Sequence, residues 1–163
     1  MSDPRFHALF DPKGVIVAGV SNHPAKFGFV TLHNILRCGY RGAVFPVSLE
    51  GGEVLGCRVE TSVDAVPEGA ADLVFVCTPP AANLELLEAC ARRGVKAAFV
   101  ATAGYGETGP AGERAQAELV AAAARHGIVL AGPNGQGVVS TPASLCAQIV
   151  APYPPAGPVG KKS

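Results

Sequence analysis

Short apolar runs alternate with longer segments of mixed polarity along most of the chain. Runs this short and this uniformly apolar are typical of strands that are buried on both faces of a sheet. They lie at Val15–Ala18, Gly42–Val47, Ala71–Cys77, Val95–Ala101 and Gly127–Ala131. The segments between them predict helices at Lys26–Cys38, Pro80–Gly94 and Gly112–His126, and an irregular excursion with a short strand at Glu53–Glu60.

This alternation predicts the fold class. Strands that alternate with helices form a parallel sheet covered by helices on both faces, so we expect an α/β, Rossmann-like, doubly wound and mostly parallel sheet of about five or six strands. Right-handed crossovers then bring the loops after successive strands to one edge of the sheet. Ligands bind at that edge in open α/β sheets, where the strand order switches.

The stretch from Gly14 to Gly28, G-V-I-V-A-G-V-S-N-H-P-A-K-F-G, is the first of these loops. Gly19 ends the strand, Ser21 or Asn22 is expected to cap the following helix, and Lys26 adds a positive charge at its start. A helix N-terminus presents free N–H groups that suit a phosphate. The glycine spacing matches neither G-x-G-x-x-G nor a P-loop, so the local pattern leaves phosphate binding and a plain strand-to-helix turn equally open.

Three further loops follow later strands and are also rich in glycine or proline. They are Thr78-Pro79-Pro80, Thr102 to Glu107, and Gly132 to Gly137. Because the carboxyl ends of parallel strands share an edge, these loops are expected to converge with the first one on a single crevice. The sequence therefore favours a ligand-binding domain.

Composition narrows the function classes. The 163 residues carry 13 basic and 13 acidic side chains, scattered along the chain, so no electrostatic footprint for nucleic acid is present. The sequence has neither an apolar stretch long enough to cross a bilayer nor a secretory leader, which predicts no membrane association and a cytoplasmic location. The five cysteines form no C-x-x-C pair, so we expect neither a metal site nor a disulfide framework.

From about Phe10 to Thr141 the chain resembles the N-terminal CoA-binding domain of NDP-forming (ADP-forming) acyl-CoA synthetases, relatives of the succinyl-CoA synthetase alpha subunit. The matching stretches are F-D-P-K-G-V-I-V-A-G-V-S-N-H-P-A-K-F-G, E-V-L-G-C-R-V, T-P-P, A-T-A-G-Y-G-E-T-G and G-P-N-G-Q-G. In that family acyl-CoA, phosphate and a nucleoside diphosphate interconvert with acid, CoA and a nucleoside triphosphate, through an acyl phosphate and a phosphohistidine.

The resemblance implies coenzyme A as the cofactor and assigns contacts by position. The CoA phosphates are expected at Gly19, Val20, Ser21, Lys26, Phe27 and Gly28. The adenine or pantetheine arm is expected between Thr78, Pro79 and Pro80, and the pantetheine near Thr102, Ala103 and Gly104. Asn134 is expected toward the reactive thiol.

The sequence departs from the family pattern in two loops. Ser48-Leu49-Glu50 stands where relatives often have N-P-K, so a lysine that can contact CoA is replaced by Glu50, which is expected to weaken binding of a polyanion. Gly135 stands where G-P-N-C is usual, which removes a side chain near the reaction centre.

The resemblance also implies a domain layout. We expect residues 1–150 to form the CoA-binding domain and residues 151–163 to be a truncated linker or tag-like tail. None of the histidines fits the phosphorylated role and we assign no catalytic residue, so the expected partners are CoA or acyl-CoA together with the remaining synthetase domains or subunits. The chain alone is expected to be inactive, and the acyl group is not readable from this domain.

Two other functions stay open on the sequence alone. One is a degenerate CoA-sensing or interaction module of a fusion protein, such as one fused to a protein acetyltransferase. The other is an NAD(P)-binding domain, in which an acidic residue after the second strand holds a ribose. Glu50 is the candidate for that role, whereas the T-P-P and G-P-N loops have no purpose in such a domain.

Overall fold

The computed structural model describes residues 4–150. Its main sheet has five parallel strands, which are β1 Gly14–Ala18, β2 Ala43–Val47, β5 Leu73–Val76, β6 Ala97–Val100 and β7 Val129–Ala131. Across the sheet they lie in the order β2-β1-β5-β6-β7. Two antiparallel hairpins lie outside this sheet, one formed by β3 Glu53–Val54 and β4 Cys57–Arg58, the other by β8 Gly137–Ser140 and β9 Leu145–Gln148. The predicted parallel α/β sheet is confirmed.

Helices connect the strands as the sequence predicts. They are α1 His7–Phe10, α2 Phe27–Arg37, α3 Pro80–Arg92 and α4 Pro110–Arg125, with short 3-10 turns at Pro4–Phe6, Val63–Ala65 and Gly106–Thr108. Each of the three longer helices runs between neighbouring strands of the main sheet. None of the helices between residues 4 and 150 is both long enough and apolar enough to cross a membrane.

The central strands are apolar because both of their faces are covered. Alternate residues of β1 face opposite sides, so Ile16 joins the core under α3 and α4 while Val15 and Val17 join the core under α2. All five residues of β1 and all four of β5 and of β6 are buried. The sheet is therefore doubly wound, and the polar residues that could contact a ligand lie in the loops at the strand ends.

The buried face of α2 differs from the one that the apolar spacing favours. Phe27 and Leu36 are 47% and 40% exposed, whereas Thr31 and Asn34 are fully buried. The amide Nδ2 of Asn34 donates to the carbonyl oxygens of Gln148 (2.9 Å) and Val150 (2.8 Å). A polar residue therefore occupies the core side of α2 because it satisfies the backbone at the end of the described chain.

The β8–β9 hairpin packs against α2 and contributes Val138, Leu145 and Ala147 to the core. The apolar pattern along the chain does not predict this hairpin. The predicted tail, residues 151–163, lies outside the described residues, so the domain boundary at residue 150 stays a prediction.

Candidate functional site

The strand order reverses beside β1, which places a crevice at its carboxyl end. The chain moves from β1 outward to β2 and then returns to β5 on the other side of β1. This switch is the position at which open α/β sheets bind ligands. Two cavities of about 560 Å³ and about 280 Å³ open here, and Gly19, Thr78 and Pro79 line both of them.

Two glycines let backbone segments approach closely in the larger cavity. Gly19 has φ +88°, and a Cβ on it would lie 2.9 Å from the carbonyl carbon of Cys77. A Cβ on Gly28 would overlap the carbonyl oxygen of Gly19 and lie 2.8 Å from Val20 Cα. Both positions therefore require glycine, and the start of α2 is held directly against the loop that follows β1.

The N-terminus of α2 offers free donors to this cavity. Lys26 is the N-cap residue and no side chain caps the helix. The first amide to find a helical partner is that of Val30, which donates to Lys26 O at 3.1 Å. Within residues 4–150 the amides of Phe27, Gly28 and Phe29 thus have no acceptor. With the Lys26 ammonium beside them, they form a positive pole that suits an anionic group.

The expected cap by Ser21 or Asn22 is wrong. Ser21 Oγ instead accepts a hydrogen bond from the amide of His23 (3.1 Å), and His23 Nδ1 accepts one from the amide of Ala25 (3.2 Å). These residues lie too far before Phe27 to reach its first turn, so they stabilise the loop itself. The Ser21 hydroxyl keeps its own hydrogen free to donate.

Cys77 also lines the larger cavity. Burial raises the pKa of its thiol to about 12, and a hydrogen bond with Thr31 lowers this pKa by a smaller amount. The side chain is therefore a neutral thiol at physiological pH and is not an activated nucleophile.

A buried polar network joins the loops after β5 and β6. The Thr78 hydroxyl donates to Asn83 Oδ1 (2.6 Å), and Asn83 Nδ2 donates to the hydroxyl of Tyr105 (2.8 Å). Thr102 Oγ1 donates to the carbonyl oxygen of Thr78 (2.6 Å). The hydroxyls of Thr78 and Thr102 thus serve to fix the loops relative to each other.

Removing the centre of this network should destabilise the fold. In Asn83→Ala the Thr78 and Tyr105 hydroxyls lose a buried partner, so we expect the free energy of unfolding to fall by about 2–3 kcal/mol. Urea denaturation measures the change. The control is Glu88→Ala on the exposed side of α3, expected within about 0.5 kcal/mol of the parent. Equal stability of the two variants would contradict the role of the network.

A carboxylate within the loop after β6 binds the backbone amides of the same loop. Glu107 accepts hydrogen bonds from the amides of Gly104 and Tyr105, and the bond from Gly104 is the first cause that lowers the pKa of this carboxyl. A Cβ on Gly104 would lie 3.1 Å from Pro80 Cγ, so the loop also packs on the start of α3. The amide of Gly104 is therefore occupied and is not a free donor for a ligand.

The loop after β7 lies next along the edge. The Asn134 amide donates to the carbonyl oxygen of Thr102 (3.0 Å), and Asn134 has φ +55°. A Cβ on Gly135 would lie 2.5 Å from Phe99 Cζ, and Phe99 stacks on Phe75 with ring centroids 5.2 Å apart. The Phe99 ring therefore fills the space of a side chain at position 135, which accounts for the glycine there.

The smaller cavity runs between the end of β2 and α3. Hydroxyl-bearing residues Ser48, Thr61 and Ser62 line it together with apolar groups of α3. Its charged lining residues are Asp64, Glu85 and Arg92. Arg92 Nη2 and Nε lie 3.1 Å and 3.3 Å from the two oxygens of Asp64, and this pair holds the pKa of the Asp64 carboxyl below its usual value.

The structure thus places every predicted site residue at one edge of the sheet. Those that line the two cavities are Gly19, Ser21, Lys26, Phe27, Gly28, Thr78 and Pro79. Thr102, Gly104 and Asn134 lie in the adjoining loops, farther from the switch. Sequence reasoning missed Asn83 and Tyr105. The available signal for Asn83 was a polar residue on the apolar side of α3, and Tyr105, in the loop after β6, carried no such signal.

Comparison with known proteins agrees with this geometry. A family model described as a CoA binding domain matches residues 13–141. The chain is 37% identical over 142 residues to the alpha subunit of ADP-forming acetate–CoA ligase I of Pyrococcus furiosus. The aligned region covers 85% of this chain and 30% of that subunit. It is 33% identical over 133 residues to a trans-feruloyl-CoA synthase from an unknown prokaryotic organism, covering 82% of this chain and 19% of the synthase.

A solved structure shows the same architecture. Acetyl-coenzyme A synthetase 1 of Ca. Korarchaeum cryptofilum, solved in complex with phosphate and ADP, superimposes with a TM-score of 0.83 at 34% identity. The match covers 91% of this chain and 31% of that one. The chain therefore spans about a third or less of the length of these relatives.

Proposed function

The chain belongs to the CoA-binding domain family, and we propose that it holds coenzyme A in the crevice where β1 and β5 end. The observation that carries this proposal is the uncapped N-terminus of α2, packed through Gly28 against Gly19. The oxygens of a CoA pyrophosphate at this position accept hydrogen bonds from the free amides of α2 and are attracted by the positive charge of Lys26. Ser21 and Phe27 complete the contacts proposed for the phosphates. Val20 offers none, because its side chain is buried in the core under α2 and its amide donates to the carbonyl oxygen of Val47 (3.3 Å).

The remaining parts of CoA follow the sheet edge in two directions. The adenosine end lies in the smaller cavity beside Pro79, and the pantetheine passes Pro80 toward the loop of Thr102 to Gly104. Because the amide of Gly104 is engaged by Glu107, the loop is preformed before a ligand arrives. Asn134 then lies on the side to which the thiol points.

We further propose that the domain serves an ADP-forming acyl-CoA synthetase. The chain is homologous to alpha subunits of ADP-forming acetate–CoA ligases but spans 30% of the length of the Pyrococcus furiosus subunit. Relatives named for acetate and for trans-ferulate share this domain at similar identity. We therefore assign the domain to CoA and place acyl selection and the phosphoryl chemistry in partner domains or subunits.

The structure bears on the two other functions. For an NAD(P) site, the acidic residue after β2 should face the ribose, but Ser48 and Leu49 line the cavity rather than Glu50. A domain that only packs against partners has no need of the free helix N-terminus. We therefore favour CoA binding over both.

Amide spectra of the ¹⁵N-labelled chain test the location. We expect CoA to shift the amides of residues 19–28 other than Pro24, of Thr78 and of residues 102–104, and to leave those of the outer face of α4, such as Ala117 and Ala121, unchanged. Free ADP should shift the amides of residues 19–28 and of Thr78 and leave those of Thr102 to Gly104 unaffected. Perturbation centred on α4 instead would overturn the proposed site.

A further inference from the structure

We infer that the adenosine pocket of this domain does not select for the 3′-phosphate of CoA, so that 3′-dephospho-CoA binds as well as CoA itself. The inference rests on the proposed function, because it takes the smaller cavity as the site of the adenosine end. In folds of this class the ribose of an adenine nucleotide lies at the end of the second strand, and a cation near that point accommodates a phosphate on the ribose. Here that point is Ser48 and Leu49, which line the cavity.

Among residues 4–150, the basic side chain that lines this cavity is already paired with a carboxylate. Arg92 is the basic residue that lines the cavity, and Asp64 holds its guanidinium at two points. Arg93 Nε lies 3.8 Å from the same carboxylate. Arg58 lies in β4, two residues before Glu60, whose backbone pairs with the end of β2. Its Nε lies 3.4 Å from Glu60 Oε1.

In the part of the chain that the structure describes, two carboxylates but one basic residue line this end of the crevice. The carboxylates are those of Asp64 and Glu85, and the basic residue is Arg92. A ribose 3′-phosphate entering here meets negative charge without a dedicated partner, whereas charge-assisted bonds are what make phosphate recognition strong. By contrast, the α2 N-terminus serves the pyrophosphate, which both ligands share.

The neutral polar groups of the cavity fit ribose hydroxyls. Ser48 and Thr61 supply hydroxyls that both donate and accept, whereas the Ser62 oxygen already accepts from the Asp64 amide (3.1 Å) and keeps its hydrogen to donate. Leu49 is 94% exposed at the cavity mouth, where it can cover an adenine ring. This combination recognises an unphosphorylated adenosine. Selectivity for CoA over other adenine nucleotides then arises from the pantetheine side of the crevice.

Calorimetric titration with CoA and with 3′-dephospho-CoA tests the inference. We expect the two dissociation constants to agree within about fivefold, which corresponds to less than one charge-assisted hydrogen bond. In Leu49→Lys, which adds a cation at the cavity mouth, CoA should bind about tenfold more tightly while dephospho-CoA stays unchanged. Leu49→Gln, of similar length and no charge, should leave the ratio of the two constants at the parental value.

Each outcome bears on a different claim. If the parent binds CoA more than about fivefold more tightly than dephospho-CoA, the inference is wrong and Arg92 becomes the first residue to test as the phosphate partner. If Leu49→Lys changes the affinities for CoA and for dephospho-CoA by the same factor, the ribose does not lie at the end of β2. Binding of neither ligand to the parent overturns the proposed function, and this inference with it.

Discussion

Ser21→Glu is expected to abolish CoA binding while the fold is retained. Ser21 lines the larger cavity beside the N-terminus of α2, so a carboxylate at this position lies against the proposed pyrophosphate. Like charges about 4 Å apart in a partly solvated site repel by about 4 kcal/mol, so the affinity should fall at least about a hundredfold. Calorimetric titration with CoA measures the loss, and circular dichroism checks that the helices remain.

Two control variants separate charge from shape. Ser21→Ala removes the hydroxyl and its bond to the amide of His23 without adding charge, and should lower affinity by at most about tenfold. Ala117→Glu adds the same charge on the exposed face of α4 and should leave CoA affinity unaltered. Undiminished binding by Ser21→Glu would remove this loop from the phosphate site.

Gly28→Ala is expected to lower both stability and CoA affinity. Helix propensity alone favours alanine over glycine by about 1 kcal/mol. Here the added Cβ would overlap the carbonyl oxygen of Gly19, which is backbone and cannot rotate away. We therefore expect the free energy of unfolding to fall by about 1–3 kcal/mol. Because α2 must move away from the loop, its free amides are displaced and CoA affinity should fall about tenfold or more.

The second residue of α3 provides the matched comparison. Ala81 occupies the position that Gly28 occupies in α2, and its side chain is exposed. Ala81→Gly should lower stability by about 1 kcal/mol through propensity alone and leave the pyrophosphate contacts intact. A Gly28→Ala variant that is more stable than the parent would show that α2 and the β1 loop do not pack as closely as the structure has them.

The sheet and its loops were predictable because they follow from local rules. Strands buried on both faces must be apolar throughout, and their alternation with helices allows few arrangements. The loop from Gly19 to Gly28 and the turn at Thr78 and Pro79 therefore appeared at one edge, as expected.

The remaining features depend on partners that are distant in sequence. Asn34 is buried because it bonds the backbone of Gln148, and no local pattern indicates that pairing. Asn83 and Tyr105 are polar residues whose burial depends on each other. Gly135 has no room for a side chain because the Phe99 ring fills the space beside it. Such effects belong to tertiary packing, which overrides apolar spacing within a single helix.

Calorimetric titration of the purified chain with CoA, with NAD as the parallel ligand, tests the central claim most directly. The two ligands share an adenosine and a pyrophosphate; they differ in the group beyond the pyrophosphate and in the ribose 3′-phosphate that CoA alone carries, and 3′-dephospho-CoA as a third ligand isolates the pantetheine side of the crevice. Saturable binding of CoA at one site per chain, in clear preference to NAD, is the result that a CoA-binding domain predicts. No heat of binding with CoA up to millimolar concentration, or tighter binding of NAD, would contradict it.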